Sequence, residues 1–481
     1  IDDSQDLTVS LDVYANRGLG TTAEYRYIMS PNAQGQLNGF LVNEAFRDGD
    51  TRAAGTYRHA WQISPNLAFK VDANVVSDDQ LLREYADRLS DRAQQRAETN
   101  VFISKRWDTW NLVGNFLWYQ DLTTRRPVEL QRVPDIRLEG LRQPVPGLPG
   151  LLYETQASAT YFIRDVGSDG ARVDLHPRLF YPVPVAGLFT VTPFAGGRAT
   201  YYDKRVIGER LTRVGGFLVE ETEDDRHVRL QAEGGVELES RVSRVWAMDG
   251  TWGVAALQHT IEPRIQWLEI RGLDQKANPE FDKAIDDIGK TSQVAYSLTQ
   301  RINAKTVSGP NEEPVRWEAA RLTVTQIFNL LPEADQPFKD LFSELIVRPN
   351  QYFGVRGVGQ WNVYGMGLRT ANADVFANIR DLVTVSAGAR FSEIGSPFTT
   401  ATGAIVTKLG SHMNVRASTE YDVLNGTKVE NRVGVDLHFQ CWAILLEYID
   451  RHRNEDEFRF SVNLLGLGQT GTRFGTGSVL R

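Results

Sequence analysis

The fold of this chain is decided at residues 57–75, which read YRHAWQISPNLAFKVDANV. Mostly apolar side chains alternate with polar or small ones along this stretch, and the only interruption is the Ser64-Pro65-Asn66 turn. Successive side chains of a β-strand point to opposite faces of a sheet, so a period of two predicts two strands joined as a hairpin. The predicted apolar face carries Tyr57, His59, Trp61, Ile63, Leu67, Phe69, Val71, Ala73 and Val75.

The same period continues along the whole chain, from residues 7–13 to residues 458–464. We count about 24 candidate strands, or roughly 20 residues for each strand with its connection, which suits membrane-spanning strands of about 9–11 residues. Short turns, as at 30–32 and 424–426, alternate with long polar connections at 77–100, 272–292 and 305–315. In the first long connection, Leu82, Tyr85, Leu89 and Ala93 have helical spacing, so a short helix and an irregular loop both stay open.

Composition excludes several classes of protein. The 481 residues carry a formal charge of −8 and have a mean hydropathy of −0.34. They contain no apolar run of the ~20 residues that a transmembrane helix needs. A single cysteine excludes a disulfide-rich scaffold, and a pI near 5.6 argues against nucleic acid as a partner. A soluble chain of this length would form about three domains.

Two all-β architectures remain open: one large membrane barrel, or a set of soluble sandwiches or a propeller. Three features favour the barrel. Aromatic residues lie near predicted strand ends, one residue set of each strand is apolar while the other is charged, and only alternate connections are long. A low mean hydropathy agrees with a barrel, because half of its strand positions face a polar interior.

Several strings resemble, in the same order, strings of the lipopolysaccharide-assembly family LptD, also called the organic solvent tolerance (OstA) family. They are DLTVSLDVYANRG at 6–18 with AEYRY at 23–27, VPDIRL at 133–138, HTIEPR at 259–264, QVAYSLTQR at 293–301, QCWA at 440–443 and NLLGLG at 463–468. The positions that carry the family motifs are Pro134, Thr260, Glu262, Pro263, Arg264 and Trp442.

The resemblance implies an all-β fold, a large antiparallel transmembrane β-barrel of about 24–26 strands. Residues 1–481 would form one outer-membrane barrel domain, with a periplasmic jellyroll domain and the first strands lying outside this chain. The implied function is insertion of lipopolysaccharide into the outer leaflet of a Gram-negative outer membrane. The implied partners are an LptE-type lipoprotein plug, an LptA-type periplasmic bridge that reaches the absent domain, and the lipid bilayer.

A closed sheet can open sideways only between its first and last strands, because hairpins tie all the others. We therefore predict that the last strand, with Phe458, Phe460, Val462 and Leu464, forms one side of a lateral gate whose partner lies in the absent strands. The resemblance also makes Cys441 a possible disulfide partner of a cysteine in the absent periplasmic domain. The family string has two adjacent cysteines where this chain has Gln440-Cys441, so an ordinary strand cysteine stays open.

No motif predicts catalysis, a metal site or a cofactor. The seven histidines lack metal-ligand spacing, and the nucleophile and phosphate-loop motifs are absent from the sequence. The acidic run at 220–225 is interpreted as a solvated loop or as a divalent-cation site near phosphorylated lipid. Pro263 lies inside a strand-like run and predicts a bulge or a ladder break. A porin-like channel is the alternative function, and a soluble adhesin or carbohydrate-binding protein is a third.

Overall fold

The computed structural model describes residues 4–14, 17–45, 49–86, 89–123, 129–164, 166–211, 218–272, 275, 277–307, 313–350, 352–380, 382–440, 442–451 and 455–464. Within these residues the chain is almost entirely β-strand. The strands are β1 Gln5–Tyr14, β2 Gly18–Ser30, β3 Ala33–Asn43, β4 Thr51–Ser64, β5 Leu67–Val76, β6 Arg96–Trp107, β7 Trp110–Asp121, β8 Leu130–Pro144, β9 Leu152–Arg164, β10 Gly170–Phe180, β11 Val183–Val185, β12 Phe189–Tyr202, β13 Arg205–Leu211, β14 Leu218–Glu223, β15 His227–Ser240, β16 Val242–Ala247, β17 Val254–Gly272, β18 Thr291–Thr306, β19 Arg316–Asn329, β20 Leu341–Asn350, β21 Phe353–Asn362, β22 Gly367–Ile379, β23 Val383–Ser392, β24 Phe398–Leu409, β25 Met413–Asp422, β26 Thr427–His438, β27 Trp442–Arg451 and β28 Glu455–Leu464.

Twenty-six of these strands form one antiparallel sheet in which each strand pairs with its sequence neighbours, and β13 and β14 form a separate hairpin. Two pairs of segments, β10 with β11 and β15 with β16, are halves of one interrupted strand, since both halves keep the same register with the strand beside them. When each of these two pairs is counted as one strand, the sheet consists of 24 consecutive antiparallel strands. The predicted fold class, a large all-β antiparallel barrel of about 24 strands, is confirmed.

Each interruption lies opposite a proline of the neighbouring strand. The common register places Ser240 opposite Pro263 and Tyr181 opposite Pro193. Proline has no backbone N–H and cannot complete the reciprocal pair of ladder hydrogen bonds. At the second interruption only one bond remains, from the Tyr181 N–H to the Pro193 carbonyl at 3.0 Å. The ladder break predicted at Pro263 is confirmed.

The two ends of the sheet differ in their connections. The turns at 31–32, 65–66, 108–109 and 351–352 all lie at one end, called here the short-turn end. The connections at 77–95, 203–226 and 273–290 lie at the opposite, long-loop end. The first of them contains two short helices, α1 Leu81–Tyr85 and α2 Leu89–Arg92, and the last contains α3 Lys283–Asp286. The helix that the spacing at 82–93 left open is therefore present, in two pieces.

Buried apolar side chains collect where the long loops fold back onto the sheet. Leu81 and Tyr85 of α1 pack against Phe40 and Val42 of β3. Phe281, which precedes α3, stacks on Phe162 of β9 with ring centroids 4.2 Å apart. The core is thus divided into small clusters at the long-loop end. A short 3-10 turn, Thr251–Gly253, links β16 to β17.

Among the described residues, no helix is long and apolar enough to cross a membrane.

Candidate functional site

One face of the sheet is apolar and the other is polar, as the alternation predicts. On β1, the large apolar side chains Leu7, Val9, Leu11 and Val13 are all exposed. The strand registers place the predicted polar set on the opposite face throughout. That set consists of Lys70, Asp72, Asn74, Arg432, Asp436, Arg459 and Asn463. An apolar exterior and a polar interior are the arrangement of an outer-membrane barrel.

The motif strand β17 places its polar residues in ion pairs on the polar face. Glu262 accepts a hydrogen bond from Arg301 Nε at 3.0 Å and lies 3.3 Å from Arg241 Nε. Arg264 lies 3.2 Å from Glu237. A cavity of about 580 Å³ opens beside these residues and the interrupted strand. Thr260 is fully buried on the same face, so the motif residues on β17 form one polar patch at the ladder break.

Charged residues also connect the last four strands on the polar face. Glu447 of β27 lies 3.4–3.8 Å from three guanidinium groups, those of Arg416, Arg432 and Arg459. Glu457 of β28 accepts hydrogen bonds from Arg459 at 2.5 Å and Arg451 at 2.7 Å. Because these pairs are partly buried, they resist screening better than exposed pairs do. They tie β28 to β27 from the interior side.

The predicted gate residues lie on the apolar face of β28. Phe458 and Phe460 are 83% and 66% exposed, and Phe458 packs against Tyr448 with ring centroids 4.7 Å apart. Val462 and Leu464 pair with Ile444 and Trp442 in the β27–β28 register, and their side chains lie outside the described part of the structure. The first and last strands, β1 and β28, do not pair with each other among the described residues.

The remaining motif positions are far from one another. Pro134 lies in a bulge of β8, where the register shifts by one residue against both neighbouring strands. Trp442 begins β27 and stacks on Phe439 with ring centroids 4.2 Å apart. Cys441, between them, lies outside the described residues. The motif residues thus mark separate points of the sheet rather than one pocket.

The loop 275–290 is anchored on the polar face by a buried carboxylate that the sequence did not reveal. Asp286 of α3 is 3% exposed and accepts two hydrogen bonds from Arg172 Nη1, at 2.8 and 2.9 Å. Further bonds come from the Tyr202 hydroxyl at 2.7 Å and from the backbone N–H groups of Phe281 and Asp282 at 2.9 and 2.6 Å. These hydrogen bonds hold the loop on the polar side of the sheet.

A second anchor fixes α1 near the first strands. Arg52 of β4 donates hydrogen bonds to Asp78, Glu44 and Glu84. Burial opposes ionisation of Asp78, but the bonds from Arg52, the Ser77 hydroxyl and the Gln80 N–H outweigh it and lower the pKa of Asp78 to about 2. Both anchors join loops to strands that are distant in sequence, and no short motif identifies such contacts.

Within the described ranges, no group of three or more His, Cys, Asp or Glu side chains is placed to hold a metal ion. The acidic run at 220–225 is split between β14 and the residues after it, and Glu223 pairs with Arg205 across the β13–β14 hairpin. Glu220 accepts a hydrogen bond from the Ser168 hydroxyl at 2.8 Å. These carboxylates therefore serve contacts within the loops.

Comparison with known proteins gives one consistent family. The model of the family LptD, described as LPS transport system D, matches residues 50–393. A protein of Nitrosococcus oceani named "LPS-assembly protein LptD" is 27% identical over 289 residues, which cover 58% of this chain and 36% of that protein. Proteins with the same name are 26% identical over 59% of this chain in Aromatoleum aromaticum and 24% identical over 71% of it in Bordetella pertussis.

The matched regions cover 34% of the Aromatoleum protein and 45% of the Bordetella protein. The chain therefore spans between about a third and a half of the length of the curated relatives it matches. The family model includes Pro134 and the β17 motif, whereas the last strands lie beyond residue 393.

Proposed function

Because this chain belongs to the LptD family of LPS transport system D proteins, we propose that it is the barrel part of an outer-membrane translocon for lipopolysaccharide. It acts without catalysing a reaction and delivers the glycolipid to the outer leaflet of a Gram-negative outer membrane. The names of its relatives, "LPS-assembly protein LptD", support this substrate. The function of the full-length protein also involves an LptE-type plug in the lumen and an LptA-type bridge in the periplasm.

The two-faced sheet is the observation that carries the proposal. Lipopolysaccharide joins a large polar sugar to acyl chains, and each part needs a different environment. The polar face, lined with ion pairs such as Glu262–Arg301 and Glu447–Arg459, suits the sugar. The apolar face, with exposed residues such as Val9 and Phe460, suits lipid. Passage between these environments requires a seam in the sheet.

We place that seam at β28, as the sequence predicts. Apart from the short segments β11 and β16, the internal strands of the sheet are paired on both edges, whereas β28 is paired on the β27 side only within the described residues. Opening at β28 therefore breaks the fewest ladder hydrogen bonds. Its partner in the closed state is the first strand of the full-length barrel, and residues 1–481 remain one barrel domain in this proposal.

A disulfide lock in living cells tests the seam. The full-length protein receives Cys441→Ser, Phe460→Cys and a second cysteine facing lipid in its first strand. We expect oxidation to stop the arrival of new lipopolysaccharide at the cell surface and reduction to restore it.

The matched control combines Phe460→Cys with Leu446→Cys, which are already opposite each other in the β27–β28 register. This lock joins two strands that stay together, so surface delivery should continue. Undiminished delivery with the first and last strands locked would overturn the gate. Normal surface lipopolysaccharide in cells depleted of the protein would overturn the translocon itself.

One observation favours the porin-like alternative. The loop 275–290 folds onto the polar face and is anchored there by Asp286 and Arg172, as a constriction loop in a passive channel would be. Conductance measurements separate the two functions, since a porin conducts ions with all of its natural components present.

A further inference from the structure

At the short-turn end of the sheet, β16 and the strands that follow it extend beyond β12. Strand β12 begins at Phe189, which pairs with Ser240 at the end of β15, so β12 does not reach beyond that pair at this end of the sheet. The strand that contains β15 continues beyond Ser240 as β16, Val242–Ala247. The chain then turns back into β17, which at 19 residues is the longest strand described. We call β16 and the adjoining parts of β17, β18 and β19 the tongue.

The outer edge of the tongue has no partner strand in the described part of the chain. Strand β16 pairs with β17 and with no other strand among the described residues. The Met248 N–H donates to the Ala255 carbonyl at 2.9 Å. Hydrogen-bonded pairs of an antiparallel ladder recur at every second residue, so Trp246 and Arg244 bond to β17. The backbone groups of Ser243, Val245 and Ala247 therefore point to the open edge.

This edge is also exposed and apolar on both of its faces. All six residues of β16 are exposed. Val242 and Trp246, on one face, are 59% and 41% exposed, and Val245, on the other, is 62% exposed. Natural proteins usually protect such edges with lysine, proline or a bulge. The segment VSRVWA contains none of these, and its single charge is Arg244.

The charge beside the edge selects the kind of strand that fits it. The Arg244 guanidinium lies over the Trp246 ring at 5.7 Å and forms no ion pair in the described part of the chain. Arg241, at the start of the edge, is also exposed, although it contacts Glu262. Only an extended backbone can satisfy a row of free N–H and C=O groups, and two guanidinium groups favour carboxylates near it.

We propose that the edge of β16 is a β-augmentation site for an extended acidic segment of a periplasmic protein. The bound segment adds one antiparallel or parallel strand beside Ser243, Val245 and Ala247, with its apolar side chains on the face of Val245 and its carboxylates on the face of Arg244. The periplasmic source follows from the proposed function alone, because short turns of outer-membrane barrels face the periplasm. The site itself rests on the geometry of the tongue.

A peptide-binding experiment on the full chain in detergent micelles tests the site. The peptide alternates valine and glutamate over seven residues and carries a fluorophore for anisotropy measurements. We expect saturable binding by the unmodified chain. Val245→Pro removes an N–H that points to the open edge and spares the bonds to β17, so it should weaken binding about tenfold.

Two further variants make the outcome specific. Val245→Thr keeps the N–H and a β-branched side chain, and should bind the peptide like the unmodified chain. Arg244→Glu should weaken binding of the glutamate peptide and strengthen binding of a lysine peptide of the same design. Heat-modifiable migration on gels verifies that each variant is folded.

Three results would overturn the proposal: no binding by the unmodified chain, equal binding by Val245→Pro, or disulfide-linked dimers formed by Val245→Cys combined with Cys441→Ser in the purified protein. The last result would assign the edge to a second copy of this chain. None of these readouts involves lipopolysaccharide, so failure of the edge site is distinguishable from failure of the proposed transport function.

Discussion

At the scale of single residues, Asp286 determines the position of the loop 275–290. Its carboxylate faces the buried Arg172 guanidinium, and removing one partner of such a pair leaves an uncompensated charge. We predict that Asp286→Asn loosens the loop and accelerates hydrogen exchange at the Phe281 and Asp282 amides by about a hundredfold, which corresponds to roughly 3 kcal/mol of local stability.

The neighbouring Asp287 provides the control for this prediction. It is exposed, and no ion pair of its carboxylate is present in the described part of the chain. Asp287→Asn should leave exchange at both amides unchanged. Equal exchange in the two variants would show that Asp286 does not anchor the loop.

Asp78 provides a prediction about pH. Its pKa of about 2 lies below the ordinary value of 3.8, so the folded state favours the ionised form. The resulting stabilisation of α1 is fully present above about pH 4 and is lost as the pH falls through 2. Carbon-13 titration of labelled aspartates should give a midpoint near 2 for Asp78. Arg52→Gln should move this midpoint toward 3.8, and an unchanged midpoint would exclude the guanidinium as a cause.

At the scale of elements, prolines decide where long strands are interrupted. Pro263→Ala and Pro193→Ala each supply the missing N–H opposite Ser240 and Tyr181. We predict that each variant joins the two strand segments, protects the new amide from exchange and raises the free energy of unfolding by about 1 kcal/mol. Pro65→Ala, in the β4–β5 turn, should leave the ladder unchanged. Rapid exchange at position 263 in the variant would contradict the explanation.

The period of two predicts elements well because it depends only on neighbouring residues. Residues 57–75 identify β4 and β5 with the turn between them, and Pro263 identifies the break in its ladder. The anchored loops could not be predicted in this way. Arg172 and Asp286 are 114 residues apart, and neither has a distinctive sequence context. The gate role of Phe458 and Phe460 and the pairing of Cys441 remain predictions.

At the scale of the whole molecule, the loops are distributed unevenly around the sheet. The connections that carry helices or the β13–β14 hairpin lie between β5 and β18, and those after β21 at the same end are short, as at 363–366, 393–397 and 423–426. In the part of the chain that the structure describes, folded loops therefore lie over the first half of the sheet and short connections over the second half. The short connections therefore lie on the half of the sheet that carries the proposed gate.

The inward loop gives a prediction for the molecule as a channel. Replacing residues 275–288 by a short glycine-serine linker removes Asp286 and its contacts with Arg172, and opens the polar side of β9 to β15. In planar bilayers, the variant should have a larger single-channel conductance than the unmodified protein. Shortening the 363–366 turn, which is separate from the anchored loop, should leave conductance unchanged. Adding the plug lipoprotein should then close both the unmodified protein and the turn variant if the chain is a translocon, whereas persistent conductance would favour the porin-like channel.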